Sequence, residues 1–274
     1  MNEAIPSSLA RLQSVAIGRF KIVGASVPGG RSLASKTPCQ DHFTFAFGEG
    51  WVVAVASDGA GSAIRAADGS RIVSQEICRA VKEQLSGDVD YLHVDFFTQM
   101  EGAVICGIER ARTQCLTEAG QDGNLEDFHA TVVGAVLTVE VGLIFHIGDG
   151  AASAHRLLAD AIDTVAFSPP ENGEYLNETF FFTEDDWKKH LRCTSIDGSP
   201  EEVWLMTDGA YFCVVQRNTL SLSPATAHTI GQLVFDRNNQ AEAKMLAAIL
   251  SGQEANAKND DDKTILIIRK HPSE

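Results

Sequence analysis

Apolar positions along the chain change period several times, and each change marks an element. Ile17 to Val27 is rich in β-branched residues and predicts a strand. From His42 to Phe47, alternation puts Phe43, Phe45 and Phe47 on one face of a second strand, and Trp51 to Ala56 is a fully apolar run of strand length. The period then becomes helical. From Ser62 to Leu85, residues Ile64, Ala67, Ile72, Val73, Ile77, Ala80, Val81 and Leu85 keep mostly to one helical face. A second helix is predicted from about Val94 to Leu116, burying Phe97, Met100, Val104, Ile105, Ile108 and Leu116.

After a turn at Gly120–Asn124, strand-like runs follow without a helix between them. Ala130–Val139, Leu143–Ile147 and Ala151–Leu158 are joined by links too short for a crossover helix, so antiparallel pairing is expected. Ser168–Gly173 reads as a loop, Tyr175–Phe182 as a further strand, and the stretch to Pro200 as polar and poorly patterned. Val203–Met206 is a short strand, Pro224–Phe235 and Gln240–Leu250 are helices, and Thr264–Arg269 is the last strand. Strict strand–helix alternation, which a doubly wound parallel sheet needs, is absent. The order predicts an α+β fold with helices on both sides of packed antiparallel sheets. No linker and no repeat stands out, so one domain is expected over residues 1–274, with a core from about 15 to 270.

Composition narrows the class. Of 274 residues, 22 are Lys or Arg and 37 Asp or Glu, a formal charge of −15. No cation surplus exists to displace the counterions of a nucleic acid or to adsorb to an anionic membrane, so neither is an expected partner. No apolar run approaches the roughly 20 residues that span a bilayer. The start, MNEAIPSSLARLQS, lacks the basic and apolar parts of a secretory signal. Six scattered cysteines without a C-x-x-C pair fit reduced thiols in a cytoplasmic protein, and the Asn177-Glu178-Thr179 sequon is then without consequence.

Three apolar runs end alike: Trp51–Ser57 leads into Asp58-Gly59, Leu143–Ile147 through Gly148 into Asp149-Gly150, and Val203–Met206 through Thr207 into Asp208-Gly209. A single Asp-Gly is usually a turn, as Asp68-Gly69, Asp122-Gly123 and Asp197-Gly198 are read, because no apolar strand precedes them. Three at strand ends of one sheet suggest carboxylates held by rigid elements. Asp41, before the Phe-alternating strand, and the run Asn259–Asp262, before the last strand, supply more acid at strand ends. Converging, these groups would form an all-oxygen cage suited to Mg²⁺ or Mn²⁺ rather than zinc. The eight histidines show no H-x-x-x-H or H-E-x-x-H spacing, and His146, inside an apolar strand, reads as a satisfied core residue. Gly59-Ala60-Gly61 lacks the third glycine of a dinucleotide turn, where Ile64 stands. No phosphate loop or nucleophile elbow occurs.

In order, these motifs resemble the metal-dependent type 2C Ser/Thr protein phosphatases, and within them a compact bacterial branch with Pro-Cys-Gln-Asp near the start. The resemblance runs from about Gly24 to Arg269. Asp41 matches the early acidic motif, Ser57–Ser62 the D-G-x-G-G segment, and Ala130-Thr131 the small-residue/Thr strand. Gly148–Gly150 matches the G-D-S turn, Thr207–Gly209 the S-D-G, and Asp261–Thr264 the D-N-x-T. The resemblance implies a four-layer α/β/β/α sandwich of two antiparallel sheets flanked by helices. It implies two Mn²⁺ or Mg²⁺ ions and a more weakly held third. Asp58 would bridge the first two, the Gly59 carbonyl would complete one site, and Asp208 and Asp261 would hold the second. Asp41 would act through coordinated water, and Asp149 would serve the third ion. A hydroxide bridging the two metals would then attack phosphorus in line, with no covalent enzyme intermediate. Asp58 and Asp208 are thus the catalytic carboxylates, with Lys36 as the phosphate partner at the position of the family's arginine. Arg31 is the other candidate, because lysine lacks the bidentate fork.

The resemblance also implies a phosphoserine/phosphothreonine protein substrate, a cognate Ser/Thr kinase and a monomer. Departures leave a second reading, a catalytically weak or inactive regulatory binding module. Gln40 stands where many members have glutamate, Ala60 where some carry a histidine proposed as general acid, Ser62 for a glycine, and Asp262 for asparagine. None removes a principal metal ligand. The stretch 168–200 is expected to form a flap or loop beside the site, with Phe180, Phe181, Phe182 and Trp187 as packing residues.

Overall fold

The computed structural model describes residues 10–271 apart from 88, 122, 159–161, 174–178, 197, 199, 217–220 and 236–238. The chain begins with β1 (Arg11–Ile17), β2 (Phe20–Val27), α1 (Gly30–Ser35), β3 (His42–Gly48) and β4 (Trp51–Ser57). Two long helices follow, α2 (Ala66–Leu85) and α3 (Phe96–Ala119), and then β5 (Val132–Thr138), β6 (Gly142–Ile147), β7 (Ala151–Leu157) and β8 (Ile162–Ser168). Next come α4 (Trp187–His190), β9 (Arg192–Ile196), β10 (Glu202–Met206), α5 (Asp208–Val214) and the small hairpin of β11 (Val215–Gln216) and β12 (Ser221–Leu222). The last elements are α6 (Pro224–Phe235), α7 (Asn239–Leu250), α8 (Gln253–Lys258) and β13 (Lys263–Lys270).

Two antiparallel sheets stack face to face. One has the order β1-β2-β13-β10-β7-β8, the other β3-β4-β5-β6-β9. The layer between them is filled from both sides, by Ile22, Val203, Leu205 and Leu266 against Phe43, Val52, Ala54 and Leu137. Alternate residues of the same strands face outward. Val53 and Val55 of β4 join Ile72, Val81, Val104 and Ile108 of α2 and α3. Val23, Trp204 and Ile267 join Ile230, Val234 and Leu246 of α6 and α7. This explains why Trp51–Ala56 is apolar throughout: helices cover the face an antiparallel sheet often leaves to water. The four-layer arrangement expected from the resemblance is the observed one. Among the described residues, no helix is long and apolar enough to cross a membrane, and the six cysteines are free.

Several local expectations are corrected. The strand read from Ile17 is the second arm of a hairpin: the chain turns at Gly18 (φ +53) and Arg11–Ile17 pairs back on Phe20–Ser26. Ile64 is 88 % exposed and precedes α2, and Leu116 is half exposed, so neither belongs to a buried face. Asp68-Gly69 is not a turn but lies inside α2, where the glycine lets the helix approach the Phe128 carbonyl. β5 and β6 are antiparallel neighbours as expected, whereas β7 leaves their sheet to pair with β10 and β8 in the other. β8 and β9 were not legible in the sequence, because edge strands with half-exposed residues carry little apolar alternation.

Candidate metal centre

Register brings the five motif aspartates to one end of the sandwich. Asp41 precedes β3 and Asp58 follows β4, and these strands pair His42 with Ser57. β6 ends at Ile147 opposite Val132, so Asp149 emerges at the same end, on the turn that carries the chain from one sheet to the other. In the second sheet Met206 pairs with Ile265, which sets Asp208, just past β10, beside Asp261, just before β13. Asp58 and Asp149 thus leave one sheet and Asp208 the other, which corrects the single sheet expected for the three strand-end motifs.

Hydroxyls and backbone amides lock the strand ends together. Asp41, 5 % exposed, accepts a 2.8 Å hydrogen bond at Oδ2 from Thr207 Oγ1, which itself accepts from the Thr264 amide at 3.0 Å. One hydroxyl therefore joins the two sheets beneath the acids. The Asp58 amide donates to Thr131 Oγ1 at 3.1 Å, and the Thr131 amide returns a 2.9 Å bond to the Asp58 carbonyl. Asp262 is buried with both oxygens committed, to the Gly29 amide at 2.8 Å and the Gln40 amide at 2.6 Å. It clamps three loops with both oxygens. A Cβ at Gly209 would collide with the Asp262 carbonyl, so the Asp-Gly pairing there is steric and not merely turn chemistry.

The electrostatics are unbalanced. Enclosure by protein and then the Asp262 charge raise Asp41 to about 8. Enclosure, then the Asp41 and Asp208 charges, hold Asp58 well above the usual carboxylate range. Asp149 is raised to about 6 by enclosure and then Asp208, with the Thr179 hydroxyl opposing. Asp261 is raised by enclosure and Asp208, and Arg31 opposes this. Asp41 Oδ1 and Asp208 Oδ1 are buried without a hydrogen-bond partner. As they stand, no three acidic, His or Cys side chains among the described residues are arranged to hold one ion. The acids approach in pairs. All-oxygen donors, two orphaned carboxylate oxygens and mutual repulsion nonetheless fit hard divalent cations, which would supply the missing positive charge.

Two cations of α1 were candidates for the phosphate. Arg31 stands at the cluster, its Nη2 2.5 Å from Asp261 Oδ2 and its Nε 3.0 Å from Asp260 Oδ1. Lys36 closes α1 in the left-handed region (φ 57) and is exposed. Three neighbours were not singled out from the sequence. Lys263 is fully buried, its ammonium bonded to the Asp261 carbonyl at 2.8 Å. The Ala60 amide donates to the His129 carbonyl at 2.9 Å, and the His129 ring stacks on Phe181 (4.6 Å, 13°) with Nδ1 2.6 Å from Thr183 Oγ1. Arg192 lies behind the Asp149 turn, donating to the Gly148 carbonyl. His129 adjoins the Ala130-Thr131 motif, so its position in the chain was the one signal.

The flap region runs beside these groups. The Phe182 amide bonds the Ala130 carbonyl at 3.1 Å, Phe182 and Trp187 are buried, and Phe180 stacks on His190. These aromatics pack, as expected. The Tyr175–Phe182 strand and Asn177 lie largely outside the described residues, and Thr179 forms only an isolated bridge with Asn172. Asp122 and Asp197, read as turn residues, are also outside them. His146 is buried as expected but only half satisfied: Nδ1 is bonded, Nε2 is not.

The protein phosphatase 2C family model matches residues 29–251. Serine/threonine-protein phosphatase 3 of Escherichia coli (strain K12) is 24% identical over 265 residues, which cover 90% of this chain and 97% of that protein. Among solved structures, the serine-threonine phosphatase 2C of Toxoplasma gondii superposes with a TM-score of 0.66 at 16% identity, covering 95% of this chain and 99% of that one. RsbX in complex with magnesium superposes with a TM-score of 0.57 at 12% identity, covering 95% and 100%. The two structures bear on the fold. The family match bears on the chemistry: this chain belongs to the protein phosphatase 2C family, and its class is that of the protein serine/threonine phosphatases.

Proposed function

We propose that the chain is a catalytically active, Mn²⁺- or Mg²⁺-dependent phosphatase of phosphoserine and phosphothreonine in proteins. The observation that carries this reading is the meeting of five aspartates from both sheets at one rim, two with buried unpartnered oxygens. Asp58, Asp208 and Asp261, with the Gly59 carbonyl and Asp41, are the residues that would hold two ions, and Asp149 a weaker third. Bound there, the ions would activate water for attack on phosphorus and offset the charge of the phosphoryl oxygens.

The chain's own residues do the positioning. Thr207 holds Asp41 in one orientation. Thr131 secures the Asp58 turn, and Asp262 binds the loops at Gly29 and Gln40 to the last strand. Arg31 is favoured over Lys36 as the cation that meets the phosphoryl group, because its fork already lies against the acids and can bind two oxygens at once. A cognate kinase and a monomeric state belong to this reading.

Purified protein is expected to hydrolyse an aryl phosphate and phosphothreonine peptides with Mn²⁺ and to stop with EDTA. Mn²⁺ binding without turnover of either substrate would instead favour the regulatory binding module.

A further inference from the structure

Behind the turn that carries Asp149 lies a half-buried polar network with one hub. Arg192, on edge strand β9, donates from Nη1 to the Pro169 carbonyl at 2.7 Å. Its Nη2 meets His146 Nδ1 at 3.0 Å and the Gly148 carbonyl at 3.4 Å, and its Nε lies 3.3 Å from Glu171 Oε2. The Glu171 amide donates to that same Gly148 carbonyl at 2.9 Å. The other Glu171 oxygen stands 3.1 Å from His190 Nδ1, and the His190 ring stacks on Phe180 (3.6 Å, 12°). One guanidinium thus joins the Asp149 turn to the loop that opens the flap region.

The chemistry of His146 shows how tightly this is specified. His146 Nδ1 stands 3.0 Å from both Arg192 Nη2 and the Ser168 hydroxyl. The guanidinium can only donate and the hydroxyl can do either, so contact with Arg192 favours Nδ1 as the acceptor and the proton on Nε2. Nε2 is buried with no hydrogen-bond partner, and a Cβ at Gly150 would stand 3.6 Å from it. The turn itself needs holding: Gly148 has φ +103. The two segments that meet at Arg192 are those beside Asp149, not the packed layers beneath. Groups behind a metal ligand orient it and tune its affinity.

We infer that Arg192 is a positioning residue that couples the Asp149 turn to the 169–172 loop, so that cation binding at Asp149 and the wall facing a phosphoprotein are set together. This rests on the phosphatase reading for its substrate arm only. Calorimetric Mn²⁺ titration of wild type, Arg192→Lys and Arg192→Ala is the first measurement. Arg192→Ala should weaken the weakest binding step by about tenfold or more and leave the tighter steps within about twofold, with Arg192→Lys restoring little. The KM for a phosphothreonine peptide should rise by about tenfold while that for an aryl phosphate stays within about twofold. ¹⁵N spectra of the His146 ring should show Nε2 protonated in wild type and a mixture of tautomers in Arg192→Ala.

An unchanged weakest step, equal losses on both substrates, or a wild-type His146 protonated on Nδ1 overturns the inference. Should Arg192→Ala not fold, Glu171→Gln removes only the charge that the loop turns to Arg192 and His190, leaving the Pro169 and Gly148 backbone bonds, and must still raise the peptide KM. A wild type inert towards aryl phosphate rejects the phosphatase reading instead, while the titration and the tautomer still test Arg192.

Discussion

Two sets of buried acids in this molecule are built on opposite principles. Glu242 on α7 is wholly enclosed, and it accepts from the Lys21 ammonium and, at 2.7 Å, from Ser14 Oγ. Glu202 on β10 is 1 % exposed and takes the Trp204 indole N–H at 2.6 Å and Arg269 Nε at 2.7 Å. Each has a cation and a neutral donor: Glu242 rivets the first two strands to the helix outside them, and Glu202 ties β10 to β13 within one sheet. At the strand-end rim the aspartates face one another instead, with Arg31 on the outside and unpartnered oxygens within. A fold that pairs Glu242 and Glu202 with cations leaves Asp41, Asp58 and Asp208 without a cationic side-chain partner among the described residues, where an external cation can complete them. Pairing marks structure here, and its absence marks the site.

The largest effect expected from breaking this contrast is on the paired side. Glu242→Ala strands the nearly buried Lys21 ammonium and should cost about 3–5 kcal/mol in urea unfolding. It should leave the Mn²⁺ response of the protein intact; a loss under 1 kcal/mol would mean that the pair is no rivet. On the unpaired side Asp208→Asn should lower turnover at least about a hundredfold, equivalent to about 2.7 kcal/mol of transition-state stabilisation. The metal-free variant should unfold no more easily than wild type, because one repulsive charge is gone. A variant that loses stability and keeps its rate would invert the comparison.

Acidity separates the two kinds of buried group more finely. His155 in β7 is buried and its pKa falls to about 4, chiefly through burial. Below the ordinary value near 6.5 the unfolded chain binds the extra proton, so this histidine makes stability fall on acidification. The slope is at most about 1.4 kcal/mol per pH unit between about 6.5 and 4. Asp41, raised to about 8, has the reverse sign: its contribution to the metal-free fold is present below about 4 and is lost as pH rises through about 8. Melting curves should therefore show His155→Gln flattening the acid limb. The stabilisation by Mn²⁺ should grow from pH 6 to 8, and a stabilisation independent of pH would contradict the unbalanced rim. The smallest change belongs to Arg31→Ala, whose side chain is 62% exposed in its ion pairs. Its stability should move by less than about 1 kcal/mol, while phosphopeptide KM rises.

How far the sequence could be read depended on what each segment buries. β4, β10, β13 and the four long helices were legible because one or both faces lie in an apolar layer, and the layer imposes its period on the residues. β8, β9 and the short helix α1 left no such trace, since their side chains are half exposed and several are polar. The five aspartates were readable as strand-end residues in an ordered set of motifs. The functions of the acids around them were not. Among the four polar residues 259–262 nothing in the chain distinguishes Asp262, which clamps backbone, from Asp261, which faces Arg31 and Asp208.

The sequence by itself determined the layers, the family and the set of candidate ligands, because apolar period and motif order are local properties of the chain. The tertiary structure alone decided that the aspartates come from two sheets, that β7 crosses between them at the Asp149 turn, and that Arg192 stands behind it. Those are matters of register and of which strand ends meet across the sandwich. No single stretch of chain encodes a meeting whose partners are supplied by strands more than a hundred residues apart, such as Thr207 with Asp41.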